Sequence, residues 1–185
     1  MLKSTSKAAF ALLTSLLLNG CSTEAPEASA TNVLAANDFE NLDGWLADSP
    51  ALATLNQAKA HSGRYSTMVS AGHDYSLGYN NTLGRLSPEW PAKLTVGAWV
   101  LLPNDQAAAK LVVEIKGTDP AAPSLVYQAI ELPKAVKLSN KWQYVEQTIA
   151  MSGTAKPDSK LLVYLWRADS KEPVYLDDLK ISLAK

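Results

Sequence analysis

Apolar and polar residues alternate along most of this chain with a period of two. Lys110 to Lys116 is the clearest case: Leu111, Val113 and Ile115 fall on one face, with Lys110, Glu114 and Lys116 on the other. A strand sends successive side chains to opposite sides, so this segment predicts a strand with one buried face. Similar short runs, rich in Val, Leu, Tyr and Thr, are separated by clusters of Gly, Pro, Asn and Asp. They predict strands over 54–58, 65–70, 76–86, 94–101, 110–116, 125–132, 142–150, 160–167 and 174–182, with a short opening strand near 37–40. Leu161 to Trp166 is apolar on both faces, which predicts a central strand covered on both sides. Ala107–Leu111 has the composition of a helical turn, but Val112 and Val113 favour strand. No long segment has helical period, and no internal repeat is evident. Many short strands with regular turns predict an all-β antiparallel sandwich.

The first twenty residues do not fit this pattern. Lys3 and Lys7 precede an apolar run from Ala8 to Leu18, the length of a signal-peptide core and too short to cross a hydrocarbon layer of roughly 30 Å. Leu18-Asn19-Gly20-Cys21 resembles a lipobox, a large aliphatic and two small residues before a cysteine that becomes acylated; Asn19 is larger and more polar than usual there. Cys21 is the single cysteine of the chain. A lone cysteine in an exported protein calls for its own explanation, and lipidation supplies one. Ser22 follows it rather than Asp, which resembles sorting to the outer membrane. Residues 22–36 are small, polar and poor in large apolar side chains, so they are expected to form a disordered tether. Its r.m.s. reach is on the order of 20 Å. The expected organisation is thus a signal peptide over 1–20, the lipidated cysteine and tether over 21–36, and a sandwich domain over 37–185. A domain of that size buries about 70% of its unfolded surface, which it must do without an internal disulfide.

Charge narrows the partners. Without Lys3 and Lys7 the exported chain carries about 15 basic residues against 18 acidic. That balance disfavours nucleic acid and anionic headgroups, so membrane attachment rests on the acyl chains, at about 0.8 kcal/mol per buried methylene.

An ordered set of short motifs carries a resemblance. Asp38-Phe39-Glu40 and Gly44-Trp45 come first, then Ala60-His61-Ser62-Gly63-Arg64-Tyr65-Ser66. Ala98-Trp99-Val100, Lys141-Trp142 and Val163-Tyr164-Leu165-Trp166 follow, and Val174-Tyr175-Leu176-Asp177-Asp178-Leu179 closes the set. This order resembles the carbohydrate-binding-module-like, galactose-binding-domain-like jelly rolls over nearly the whole folded part. The residues agree with that fold. Gly63 suits a positive φ in the turn before the Tyr65 strand. If Tyr175, Leu179 and Ile181 point inward, Asp177 shares their face and needs compensation. The resemblance implies a structural Ca²⁺ at the sandwich edge. Glu40 and Asp177 or Asp178 would supply carboxylate oxygens, and Asp38 and the His61–Arg64 turn, with Gly63, mainly carbonyls. The alternative is that these acids pair with Arg64 or Lys180 at the surface.

No catalytic constellation is present. His61 lies in the turn motif and His73 in the loop Gly72-His73-Asp74, and no Ser/His/Asp order, GxSxG or HExxH occurs. Asp177 and Asp178 are adjacent, so on a strand they cannot flank one glycosidic bond. Binding is the remaining class. Five Trp and seven Tyr supply rings that stack on sugars. Tyr164 and Trp166 share the face opposite Val163 and Leu165. Trp99 lies opposite Val96, Ala98 and Val100, beside the small Thr95 and Gly97, and Tyr127 lies opposite Val126 and Ile130. Trp99, Tyr127, Tyr164 and Trp166 are expected to line one concave face; packing of the same rings in the core is the competing reading. Trp45 and Trp142 are assigned to the core or its edge, and Trp90, between Pro88 and Pro91, to an exposed loop. The expected function is a non-catalytic, membrane-anchored lipoprotein whose domain binds carbohydrate or a glycan-bearing envelope component. A scaffold lipoprotein binding an envelope protein, and an enzyme accessory subunit, are the alternatives.

Overall fold

The structure is a computed structural model and describes residues 32–42, 45, 53–88, 90–168 and 170–184. The expected signal peptide, Cys21 and most of the expected tether lie outside the described residues. Among the described residues ten strands form two antiparallel sheets packed face to face. In chain order they are β1 (Val33–Asn37), β2 (Leu55–Asn56), β3 (Ser66–Val69), β4 (Tyr79–Thr82), β5 (Lys93–Leu101), β6 (Lys110–Lys116), β7 (Val126–Glu131), β8 (Gln143–Ala150), β9 (Lys160–Trp166) and β10 (Val174–Leu183). Two single helical turns, α1 (Leu83–Leu86) and α2 (Leu132–Ala135), follow β4 and β7. The larger sheet has the order β2-β3-β10-β5-β8, and β1 shares the edge of β10 with β3. The smaller sheet has the order β4-β9-β6-β7. The fold is the antiparallel sandwich that the pattern predicts, with the jelly-roll-like character that the resemblance implies.

Alternation builds the core. Leu94, Val96, Ala98 and Val100 of β5, and Leu176, Leu179 and Ile181 of β10, face Leu111, Val113 and Ile115 of β6 and Leu161, Val163 and Leu165 of β9. All are essentially fully buried, and burying each of the Val, Leu and Ile side chains contributes about 1.5–3 kcal/mol.

Several expectations are corrected. The opening strand is β1, so residues 33–36, assigned to the tether, are paired with β10. Edge pairing satisfies backbone groups and does not require large side chains, which is why Ala35 and Ala36 suffice. The strand expected over 76–86 ends at Thr82. There the chain turns, the Leu83 and Gly84 amides donate to the Ser159 and Pro157 carbonyls, and Leu83 and Leu86 enter the core one helical turn apart. The strand over 125–132 likewise stops before Leu132, which opens α2 with Pro at its start. The strand over 54–58 shrinks to two residues because Asn56 accepts the Ala58 and Lys59 amides and turns the chain. Gly63 does take a positive φ of 56°, as the turn requires.

Candidate ligand-binding face

Strand β9 lies inside the smaller sheet, and its two sides differ. Leu161, Val163 and Leu165 are buried in the core, whereas Leu162, Tyr164 and Trp166 are only partly covered on the outer side. The expectation that β9 is covered on both sides is therefore corrected: its side chains on this outer face stay partly exposed, although Val112 beside Tyr164 on β6 is fully buried. Register decides what joins it. Lys110, Val112 and Glu114 of β6 stand opposite Trp166, Tyr164 and Leu162. Tyr127 of β7 stands opposite Glu114, and Tyr75 bridges to Trp166. Tyr127, Tyr164 and Trp166, three of the four expected ligand residues, therefore share one face. Tyr75, which no motif singles out, joins them.

The cleft on this face measures about 450 Å³ and is lined by Tyr75, Asn80, Glu114, Lys116, Leu162 and Tyr164 among others. Tyr75 and Tyr127 are 58% and 53% exposed, large aromatic surfaces left open to solvent. Tyr75 meets Tyr164 edge to face at 5.7 Å, and the Lys110 ammonium sits 5.2 Å over the Trp166 ring. Gly78 lets the chain run close along β9, since a Cβ there would collide with the Val163 carbonyl oxygen.

Polar groups are fixed around these rings. The Tyr164 hydroxyl donates to Glu114 Oε2 at 3.2 Å, and the Ser124 hydroxyl donates to Glu114 Oε1 at 2.5 Å. Lys116 Nζ stands 3.6 Å from the same carboxylate. Burial, then the Glu114 charge, pushes the Tyr164 hydroxyl far above the usual tyrosine range, so it stays a donor. Apolar ring faces beside a held carboxylate, an ammonium and an amide suit a ligand with both C–H faces and hydroxyls. The alternating pattern of β6 places Glu114 outward; its position beside Tyr164 needs the β6–β9 register, which the sequence does not state.

Trp99 is not part of this face. It stands on the outer side of the larger sheet, opposite Asp177 and Tyr144, with the whole sandwich between it and Tyr164. The His61 ring stacks on it at 4.0 Å, and Trp142 meets His61 edge-on at 5.8 Å. The space expected beside Gly97 is taken by Tyr144, whose Oη would collide with a Cβ at that position.

The acidic residues gather near Trp99. Asp178 takes a positive φ of 47° at a bulge between Asp177 and Lys180. The bulge resets the alternation, so Tyr175 and Asp177 share the outer side with Trp99 while Leu176, Leu179 and Ile181 point inward. The expectation that Asp177 shares the face of Leu179 and Ile181 is corrected by that one extra residue. Asp177 is nevertheless fully buried, under the 61–64 turn. Its oxygens accept the amides of His61 at 2.7 Å, Ser62 at 3.1 Å and Asp178 at 2.8 Å. Burial pushes its carboxyl up to about 6, against the lowering effect of those amides. Asp178 accepts from the Ser62 hydroxyl and pairs with His61 Nδ1 at 2.5 Å. Glu40 Oε1 accepts the Arg64 and Tyr65 amides at 2.5 and 2.6 Å, and the Arg64 amide foremost holds its carboxyl below the usual range. Asp38 accepts the Glu40 amide.

The turn of His61, Ser62, Gly63 and Arg64 thus does meet Glu40, Asp177 and Asp178, as the resemblance implies. It presents amide N–H groups to them, however, and Ca²⁺ needs oxygens. Among the described residues no three acidic, His or Cys side chains converge on a metal position. As arranged, the carboxylates are satisfied by amide hydrogens, and a calcium ion here would need the turn's carbonyls to turn toward them.

Comparison with known proteins bears on the fold and the family. No curated protein sequence matches the chain. Among solved structures, a family 22 xylan-binding module of Xyn10C from Paenibacillus barcinonensis is similar, with 21% identity, a TM-score of 0.53, and 83% of this chain and 96% of that one covered. The C-terminal family 22 module of Clostridium thermocellum Xyn10B gives 15% identity and a TM-score of 0.55, covering 85% of this chain and 98% of that one. A family 16 carbohydrate-binding module gives 17% identity and a TM-score of 0.54, covering 81% and 99%. At these identities the likeness is one of fold. Residues 31–171, most of the chain, match the model of the carbohydrate binding domain family, and this protein belongs to that family.

Proposed function

We propose that the domain binds a polysaccharide chain, of the xylan class, along the outer face of the β4-β9-β6-β7 sheet. The observation that carries this is the open aromatic run of Tyr75, Tyr127, Tyr164 and Trp166 beside the held carboxylate of Glu114. Several similar modules are xylan-binding domains, which supports the choice of ligand class. Adjacent strands are about 4.8 Å apart, so Tyr127 stands roughly 10 Å across the sheet from Tyr164. That spread suits an extended chain rather than a single sugar ring. The reading is non-catalytic: glycoside hydrolysis uses two carboxyl groups about 5–10 Å apart, and among the described residues Glu114 is the one carboxylate lining this cleft. The chain is further proposed to be exported and held by acyl groups on Cys21, at the outer membrane. A glycan array probed with the Cys21→Ser chain tests the ligand. Retention of xylan and related β-linked oligosaccharides is expected. Retention of none, with an envelope protein captured instead, favours the scaffold reading.

Calcium is a separate proposal, confined to the 61–64 turn on the other side of the sandwich. Glu40, Asp177 and Asp178 each contact this turn, Asp178 also through the His61 ring and Glu40 also through the exposed Arg64 guanidinium. A calcium ion would require the turn's carbonyls to replace its amides. On this proposal calcium at about 100-fold its Kd raises stability by roughly 2.7 kcal/mol over chelator. Superimposed thermal melts, with no calcium in the purified protein, would leave the carboxylates to the amide hydrogens alone.

A further inference from the structure

One end of the sandwich gathers several features that the glycan face does not use. β1 begins there, with Val33 opposite Ser182 of β10. Leu183 pairs with Leu94, the Ala184 amide donates to the Lys93 carbonyl, and the Met151 amide donates to the Ala92 carbonyl. The segment leading into β5 therefore lies beside the point where the N-terminal chain enters the fold. Its tip carries Trp90, 45% exposed, between Pro88 and Pro91. With Ala92, Leu183 and Ala184 these residues border a shallow recess of about 560 Å³. Nearly half of the surface of Trp90 is left open to solvent. Two prolines beside it restrict the backbone, so little conformational entropy is lost when the tip is held against a surface.

What faces this end follows from the chain before it. Val33 is the twelfth residue after Cys21. Whatever its conformation, a chain of that length reaches at most about 40 Å. If Cys21 is acylated, this end of the domain is kept within that distance of the bilayer, where even a weak contact acts at high effective concentration. Tryptophan prefers the membrane–water interface, its ring in the acyl boundary and its N–H among the headgroups. We propose that the Trp90 tip docks on the bilayer surface and sets the orientation of the domain. The proposal rests on the lipid anchor at Cys21. Lys93 borders the recess and the sequence sets Glu89 beside Trp90, so the tip carries no excess of positive charge that would call for anionic lipid.

The orientation has a consequence for the glycan face. β9 starts at Lys160, opposite Thr82 and hence toward α1 and the Trp90 tip, and ends at Trp166, where Tyr75 bridges to it. Docking at Trp90 therefore points the Tyr75–Trp166 end of the aromatic run away from the membrane, toward ligand in the surrounding medium.

The test uses the full lipidated chain in phosphatidylcholine vesicles with and without brominated acyl chains. Co-flotation of the parent and loss of co-flotation in Cys21→Ser establish the anchor. With the anchor in place, bromolipid is expected to quench part of the parent's tryptophan emission and none of the emission of Trp90→Phe. Co-flotation with no quenching, or with equal quenching in parent and Trp90→Phe, would overturn the docking proposal and leave the anchor standing. A parent chain that does not co-float would remove the anchor, and the docking proposal with it.

Discussion

Trp166→Ala is expected to weaken glycan binding at least tenfold while costing the fold only about 1–2 kcal/mol. The ring lies on the outer side of β9, partly covered, with the Lys110 ammonium over it and Tyr75 bridging beside it. Truncation removes a stacking surface without opening a cavity in the core. Tyr79 gives the internal comparison. It is 5% exposed and packs edge-on against Trp45 at 5.2 Å, so Tyr79→Ala is expected to cost about 3–5 kcal/mol. Tyr75→Ala provides the other limit: with its ring largely open, stability is expected to change by less than about 0.5 kcal/mol while affinity falls. Urea unfolding and titration calorimetry with a xylo-oligosaccharide measure the two quantities. A stability loss in Trp166→Ala as large as in Tyr79→Ala, with unchanged affinity in Tyr75→Ala, would make this face ordinary packing.

The second large effect is one of pH. In buffer without divalent cations, the domain is expected to become more stable as the pH falls from 7 toward 5. Burial raises Asp177 to about 6 from 3.8. Between those values the folded state binds more protons than the unfolded state, so stability falls as pH rises through the window and the full penalty applies above it. The shift corresponds to at most about 3 kcal/mol. Glu40 acts in the opposite sense, because its carboxyl is held low; its contribution is lost only as the pH falls below 4.5. Asp177→Asn should remove the pH dependence from 5 to 7. It should also lower stability at pH 5, because both oxygens of Asp177 accept amide hydrogens and an NH₂ group would face a donor. Denaturant unfolding of both proteins at pH 5 and 7 measures this. A parent that gains stability on going from pH 5 to 7, or a mutant with the parent's slope, would show that Asp177 does not carry the effect.

Much of the architecture is legible in the order of the amino acids alone. The alternation of Lys110–Lys116 gives β6 to the residue, and the inward positions of β5, β6 and β9 are the core. Gly63 marks its turn, and the two prolines around Trp90 mark an exposed tip. These features are local. They depend on the direction of successive Cβ atoms and on the φ each residue tolerates, and a neighbouring strand does not change them.

Three things are decided only by the tertiary structure. Alternation says that Trp99, Tyr127, Tyr164 and Trp166 all point out of the core, but a sandwich has two outsides. Trp99 is on β5 and the others are on β7 and β9, and only strand pairing shows that these belong to different sheets. The single extra residue at Asp178 turns Asp177 to the outer side, because a period of two has no tolerance for an insertion. Tyr75 enters the candidate site, although it lies outside every named strand, because a backbone bridge holds it against Trp166. Inside or outside is a property of one strand and can be read along the chain. Which outside is a property of the pairing, and that is settled by contacts between residues far apart in sequence.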